Sequence, residues 1–177
     1  MNLDSLKRCS SLGIDEFRRR FQAERTPVII SNSFDWKEMK KWDVEYFKEI
    51  YKAKTVELDF YSSLIKPEWG TKTLQLPEAL YLICNNTNKD TKHYLMQKSI
   101  AEEFPELQSD IHPPKYTDKG VNYMTNLWIG EAGINSQPHF VCTDNFLTQI
   151  KGRKLVRLFA PSENLNMYPY EIQNSFV

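Results

Sequence analysis

The sequence predicts an α+β chain that leads into an all-β end, on three observations. Helical and strand periodicities alternate over the first two thirds of the 177 residues. From about residue 120, four short β-type runs follow one another, with glycine or proline between them. No repeat, low-complexity stretch or linker divides the chain. One domain over 1–177 is therefore expected, with an α/β part at about 1–119 and a β part at about 120–177. The length suffices for a single hydrophobic core.

The first helix is expected over 14–24, "IDEFRRRFQAE", where Ile14, Phe17 and Phe21 recur at helical spacing. Acidic residues lead and the run Arg18-Arg19-Arg20 follows, which suits the helix dipole and reads as a solvated face. Pro27 opens "PVIIS", a short β-branched run expected as a buried strand. Asp43 is placed to N-cap "VEYFKEIYK", with Trp42 packing on Phe47 as a hydrophobic staple. "TVELDFYS" alternates Val56, Leu58 and Phe60 and predicts a strand. Pro77 fits the first turn of a helix through "PEALYLIC". "HYLMQ" predicts another strand, and Ser99 with Glu102 forms a capping box that starts "IAEEF".

The β-rich end consists of "VNYMTNLWIG", "SQPHFVCT", "NFLTQIKG" and "KLVRLFAP", with Gly130, Gly133, Gly152 and Pro161 at turn positions. A sandwich or barrel needs about six to eight strands to cover its core. Four strands would leave an open face, so the chain is expected to stop in mid-domain. Pleating would place His139, Val141, Thr143 and Asn145 on one face, and Lys154, Val156 and Leu158 on one face of the next strand. A lysine in line with two apolar residues either snorkels at a strand end or meets a buried anion. Taken singly, a histidine near a strand is more often a hydrogen-bonded core or surface residue than a metal ligand.

Composition excludes several classes. Lys+Arg and Asp+Glu each number 23, so nucleic-acid binding driven by bulk charge is not expected. No apolar run reaches membrane-spanning length, and "MNLDSLKRCSSLG" lacks the apolar core of a secretion signal. Cys9, Cys84 and Cys142 are odd in number and scattered, without metal-type pairing. An intracellular location, cytoplasm or nucleus, is the simplest expectation. Asn85-Asn86-Thr87 matches a glycosylation sequon, read here as chance.

The segments "NLWIGEAGINSQPH" and "DNFLTQIKGRKLVRLFAPSENLNMYPY" resemble the JmjC/cupin-like family of Fe(II)- and 2-oxoglutarate-dependent oxygenases, most of all its small hydroxylase branch. Upstream, "HYLMQKSIAEEFPELQSDI" and "TPVIISNSFDWKEMKKWDVEYF" are similar to the family's segments before the core, so the likeness covers roughly 14–177. Several linked motifs in order are more specific than any one of them. The resemblance implies a cupin-like double-stranded β-helix, or jelly roll, whose C-terminal part is missing here. It also implies Fe(II) and 2-oxoglutarate as cofactors and a protein or RNA as substrate. His139 matches the first histidine of a metal-binding His-x-Asp pair. Tyr94, Ser136, Asn145 and Lys154 match positions that contact 2-oxoglutarate, with Lys154 on its distal carboxylate.

Two departures stand beside these matches. Val141 occupies the place of the family's aspartate and has no lone pair to give a metal. The family's distal histidine comes later than Val177, and His93 and His112 match no ligand position. Three readings follow: part of an oxygenase, a non-catalytic relative that keeps a 2-oxoglutarate-type pocket, or a cupin-like scaffold in which His139 only packs.

Overall fold

The computed structural model describes residues 6–31, 37–62, 69–117 and 123–167. It divides into two units, Met1–Thr143 and Asp144–Val177.

The first unit opens with β1 (Arg8–Ser10), a three-residue strand too short to announce itself in sequence. A helix follows over α1 (Ile14–Phe17) and continues as a π-helical turn through Gln22. Phe21 is buried on it, beside Leu12 and Tyr116 in a small satellite core. β2 (Ile29–Ser31) pairs in parallel with β1 and is only half-buried, because this two-stranded sheet has a single partner on its ladder. Residues 32–36, which include part of the Trp-bearing segment that resembles the family, lie outside the described residues.

α2 (Val44–Ile50) begins as the sequence predicts. The Asp43 side chain accepts the Tyr46 N–H at 2.9 Å, and the Trp42 and Phe47 rings meet edge-on at 5.7 Å. β3 (Thr55–Ser62) and β4 (Trp69–Gln75) pair antiparallel from Thr55↔Gln75 to Tyr61↔Trp69. β4 carries no sequence signal because, as an edge strand, it buries little. Gly70 and Lys72 interrupt any apolar alternation. α3 (Leu76–Asn85) has Pro77 in its first turn, where its missing N–H costs nothing.

β5 (Thr91–Ser99) extends "HYLMQ" at both ends and pairs antiparallel with β3 and with β6 (Asn126–Gly130). The sheet order is β4-β3-β5-β6. Between Leu95↔Ile129 and Lys98↔Leu127, β5 spends one more residue than its partner. Gln97 takes the left-handed conformation at φ 52, which is how a bulge absorbs the extra residue. The Ser99 hydroxyl then accepts the Glu102 N–H at 3.3 Å and starts α4 (Ile100–Glu103). The return bond of the expected capping box shifts by one residue: Ser99 N–H donates to Glu103 rather than Glu102.

One face of the main sheet meets the helices. Val56, Leu58, Leu95 and Leu127 interlock there with Leu80 of α3 and with Phe104. Leu58, Leu95 and Phe104 are fully excluded from solvent, each contributing about 1.5–3 kcal/mol of burial. Asp110 fastens this layer from below, accepting the Trp42 indole N–H at 2.9 Å and pairing with Lys41 at 3.0 Å.

After Gly130 the expected strands are not formed among the described residues. "SQPHFVCT", "NFLTQIKG" and "KLVRLFAP" run without ladder pairing, and Phe140 and Leu155 stay 77% and 83% exposed. The shared faces expected of 139–145 and 154–158 therefore do not exist as pleats. The physical reason is that a strand is a paired object: alternation supplies a face, but only a neighbouring ladder satisfies the N–H and C=O groups. Gly133 at φ 82 and Gly152 at φ 78 turn the chain as expected, whereas Gly130, also expected at a turn, ends β6 paired with Tyr94. In the second unit, Gly152 turns the chain and a 3₁₀ segment forms over Pro161–Met167, opened by Glu163 N–H on the Ala160 carbonyl at 2.9 Å. Residues 168–177, with the "YPY" motif completed at Tyr170, lie outside the described residues.

Candidate functional site

Strand pleating gives the main sheet a second face. With Leu58 and Leu95 turned to the helices, Asp59, Tyr61 and Tyr94 point the other way. Tyr94 is 5% exposed and tilts against Trp128, ring centroids 5.6 Å apart. It lies across from Gly130. A Cβ on Gly130 would stand 2.8 Å from the Tyr94 ring, so glycine there is what lets the ring lie flat on β6. Burial, and then the neighbouring Tyr61, push the Tyr94 hydroxyl above the ordinary tyrosine range. It stays protonated at physiological pH and so keeps its O–H as a hydrogen-bond donor.

Tyr61 ties the following loop to this face. Its hydroxyl accepts the Asn135 N–H at 3.0 Å and donates to the Asn135 carbonyl at 3.3 Å. Ser136 is the next residue and is exposed. Of the expected co-substrate contacts, Tyr94 lies near Tyr61 on this face, and Ser136 is next in sequence to the Asn135 that Tyr61 holds. His139 is exposed, and its Nδ1 lies 2.8 Å from the Gln137 carbonyl. A carbonyl can only accept, so Nδ1 carries the proton, and in the neutral ring the free lone pair is on Nε2.

Asp59 is buried beneath the same face, and desolvation raises its carboxyl above the usual range. The charge of Lys98 and the Met96 N–H pull in the opposite direction. Met96 is a bulge residue, so Asp59 serves an amide that the interrupted ladder leaves over.

A second cluster was not expected from sequence. Glu131 follows β6 directly, and its side chain is 6% exposed. Lys92 Nζ reaches it at 2.8 Å, Asn86 Nδ2 at 2.9 Å and the His93 N–H at 3.2 Å, with His93 Nδ1 3.4 Å away. Burial opposes ionisation, but Lys92, Asn86 and His93 outweigh it and hold the carboxyl below the ordinary glutamate range. Its stabilising effect is thus complete above that range and is lost as pH falls through the depressed value. The sequence signal was faint: polar residues in "NNTNKDTKH" and one glutamate after a Trp-bearing strand. His93, matched to no ligand position in sequence, is occupied here. Asn85 of the sequon donates to the Tyr81 carbonyl at 2.9 Å, closing α3.

Asn145 and Lys154 belong to the second unit and are both exposed there. Desolvation nonetheless holds the Lys154 ammonium below the ordinary lysine range. Cys9, Cys84 and Cys142 are free thiols.

Residues 14–176 match the family model for the cupin-like domain. This chain belongs to the cupin-like domain family. The cupin-like fold class and the JmjC resemblance expected from sequence therefore hold. Lysine-specific demethylase 8 of Danio rerio is 31% identical over 172 residues, covering 93% of this chain and 42% of that protein. JmjC domain-containing protein D of Dictyostelium discoideum is 27% identical, covering 89% of this chain and 40% of that protein. tRNA wybutosine-synthesizing protein 5 of Gallus gallus is 26% identical, covering 87% and 54%. The cupin-like chain thus spans about two fifths to about half the length of these relatives.

A His/carboxylate iron site needs several nitrogen and oxygen donors close together. Among the described residues, no three of His, Cys, Asp and Glu group as a metal would need. His139 offers a nitrogen lone pair, whereas Val141 offers only methyl groups. These residues do not fit a His/carboxylate iron site. Among the described residues, no helix is long and apolar enough to cross a membrane.

Proposed function

We propose that this chain binds a 2-oxoglutarate-type dicarboxylate through Tyr94 and Ser136, and that this binding does not require a metal held at His139. The observation that supports the reading is the sheet face built by Tyr61, Tyr94 and Trp128, with a neutral buried hydroxyl beside the loop that carries Ser136. A hydroxyl donor and a serine suit a carboxylate, which accepts only. Asn145 and Lys154 are assigned to 2-oxoglutarate by their motif alone.

A second reading is a JmjC-type hydroxylase acting on a protein or an RNA. The lone pair left on His139 Nε2 favours it, since a ligating histidine commonly has its other nitrogen bound to a carbonyl. The names of the relatives point to both substrate classes, protein lysine and tRNA. An intracellular site of action accompanies either reading.

Ligand-observed NMR of the chain with 2-oxoglutarate, with and without Fe(II) or an inert divalent ion, separates the two. Saturation transfer that is the same in both samples is the expected result. Binding that tightens with metal overturns the first reading in favour of the second, and no binding in either sample removes both.

A further inference from the structure

The loop that leaves β6 is held at two points. At its start, the buried Glu131 carboxylate engages Lys92 and His93 on β5 and Asn86 just after α3. At its end, Tyr61 of β3 exchanges two hydrogen bonds with the Asn135 backbone. Gly133 reverses the chain between them at φ 82, a conformation that disfavours any side chain. Lys92 and Tyr94 lie two apart on β5, so the residue that grips Glu131 stands on the same face as the Tyr94 ring.

A surface ion pair would not need this many donors. Glu131 draws on a charged ammonium and a backbone N–H from β5 and on an amide side chain just after α3. Without it, the loop would keep only the Tyr61 bonds at Asn135 and the packing of half-buried Ile134 near Gly130, both at its far end. We infer that Glu131 is a positioning residue for the co-substrate site: it fixes where the chain leaves β6 and so sets Ser136 against Tyr94. This inference rests on the 2-oxoglutarate reading above.

The test compares Glu131→Ala and Glu131→Gln with Asp110→Ala, in the full chain. Asp110 is a buried carboxylate in the helix layer, so its loss reports destabilisation alone. The dissociation constant for 2-oxoglutarate, the melting temperature and hydrogen exchange at the Asn135 amide are measured for each. Glu131→Ala is expected to weaken 2-oxoglutarate binding on the order of tenfold and to speed Asn135 exchange, because displaced groups lose ligand contacts steeply. Glu131→Gln, which keeps an oxygen acceptor but loses the pairing with Lys92, should fall between Glu131→Ala and the unmodified chain. Asp110→Ala should lower the melting temperature while leaving affinity within about twofold, as expected for a distant, independent site. Unchanged affinity in both Glu131 variants, with the unmodified chain binding normally, overturns the inference alone. Failure of the unmodified chain to bind removes the 2-oxoglutarate reading and the inference with it.

Discussion

"TVELDFYS" and "KLVRLFAP" have similar patterns, yet one becomes a strand and the other does not. β3 has β4 on one side and β5 on the other, and its Leu58 is sealed under the helices at 0% exposure. In the second unit Leu155, Val156 and Leu158 meet no ladder and remain 83%, 46% and 56% exposed. Propensity was available to both segments. Pairing and burial were available to one, and those terms are larger than any preference of the isolated chain.

The widest gap should appear on truncating one leucine from each region. Leu58→Ala is expected to cost about 2–5 kcal/mol by leaving a cavity in a filled core. Leu155→Ala should change stability by less than about 0.5 kcal/mol, as an exposed position does. Urea denaturation of both variants measures this, and similar losses for the two would erase the distinction drawn here.

A smaller effect tests the far face of the sheet. Gly130→Ala drives a methyl to 2.8 Å from the Tyr94 ring, which must swing away at a cost of about 1–3 kcal/mol. The Trp128 emission spectrum should shift with it, because the Tyr94 ring packs against that indole. An unchanged spectrum with full stability would mean the ring does not rest on β6.

The smallest concerns local signals that the tertiary structure left intact. Asp43→Ala and Ser99→Ala should each cost about 1 kcal/mol through a lost helix cap. Thermal melts of the two should agree within a few degrees. A much larger loss at Ser99 would show that the bulge beside it depends on the cap.

These caps explain what was readable in advance. Asp43 and Ser99 act on amides three residues away, so their roles follow from spacing. Trp42 against Phe47 is the same kind of short-range geometry. The Glu131 cluster was not readable, because it joins residues up to 45 apart whose proximity exists only after β5 and β6 pair. Of the expected site residues, Ser136 follows Asn135, whose backbone is held by Tyr61, a tie that no pattern announces. His139 was identified by motif, but its available nitrogen is decided by a hydrogen bond to Gln137.

The sequence by itself determined the helix starts, the turns at Gly133 and Gly152, the family and the absence of a donor at Val141, because each depends on residue type or near neighbours. Tertiary structure decided which alternating segments became strands, where β5 bulges, and how Glu131 and Tyr61 hold the loop to Ser136. Those outcomes depend on partners distant in the chain, and a hydrogen bond or a buried surface does not exist until both partners meet.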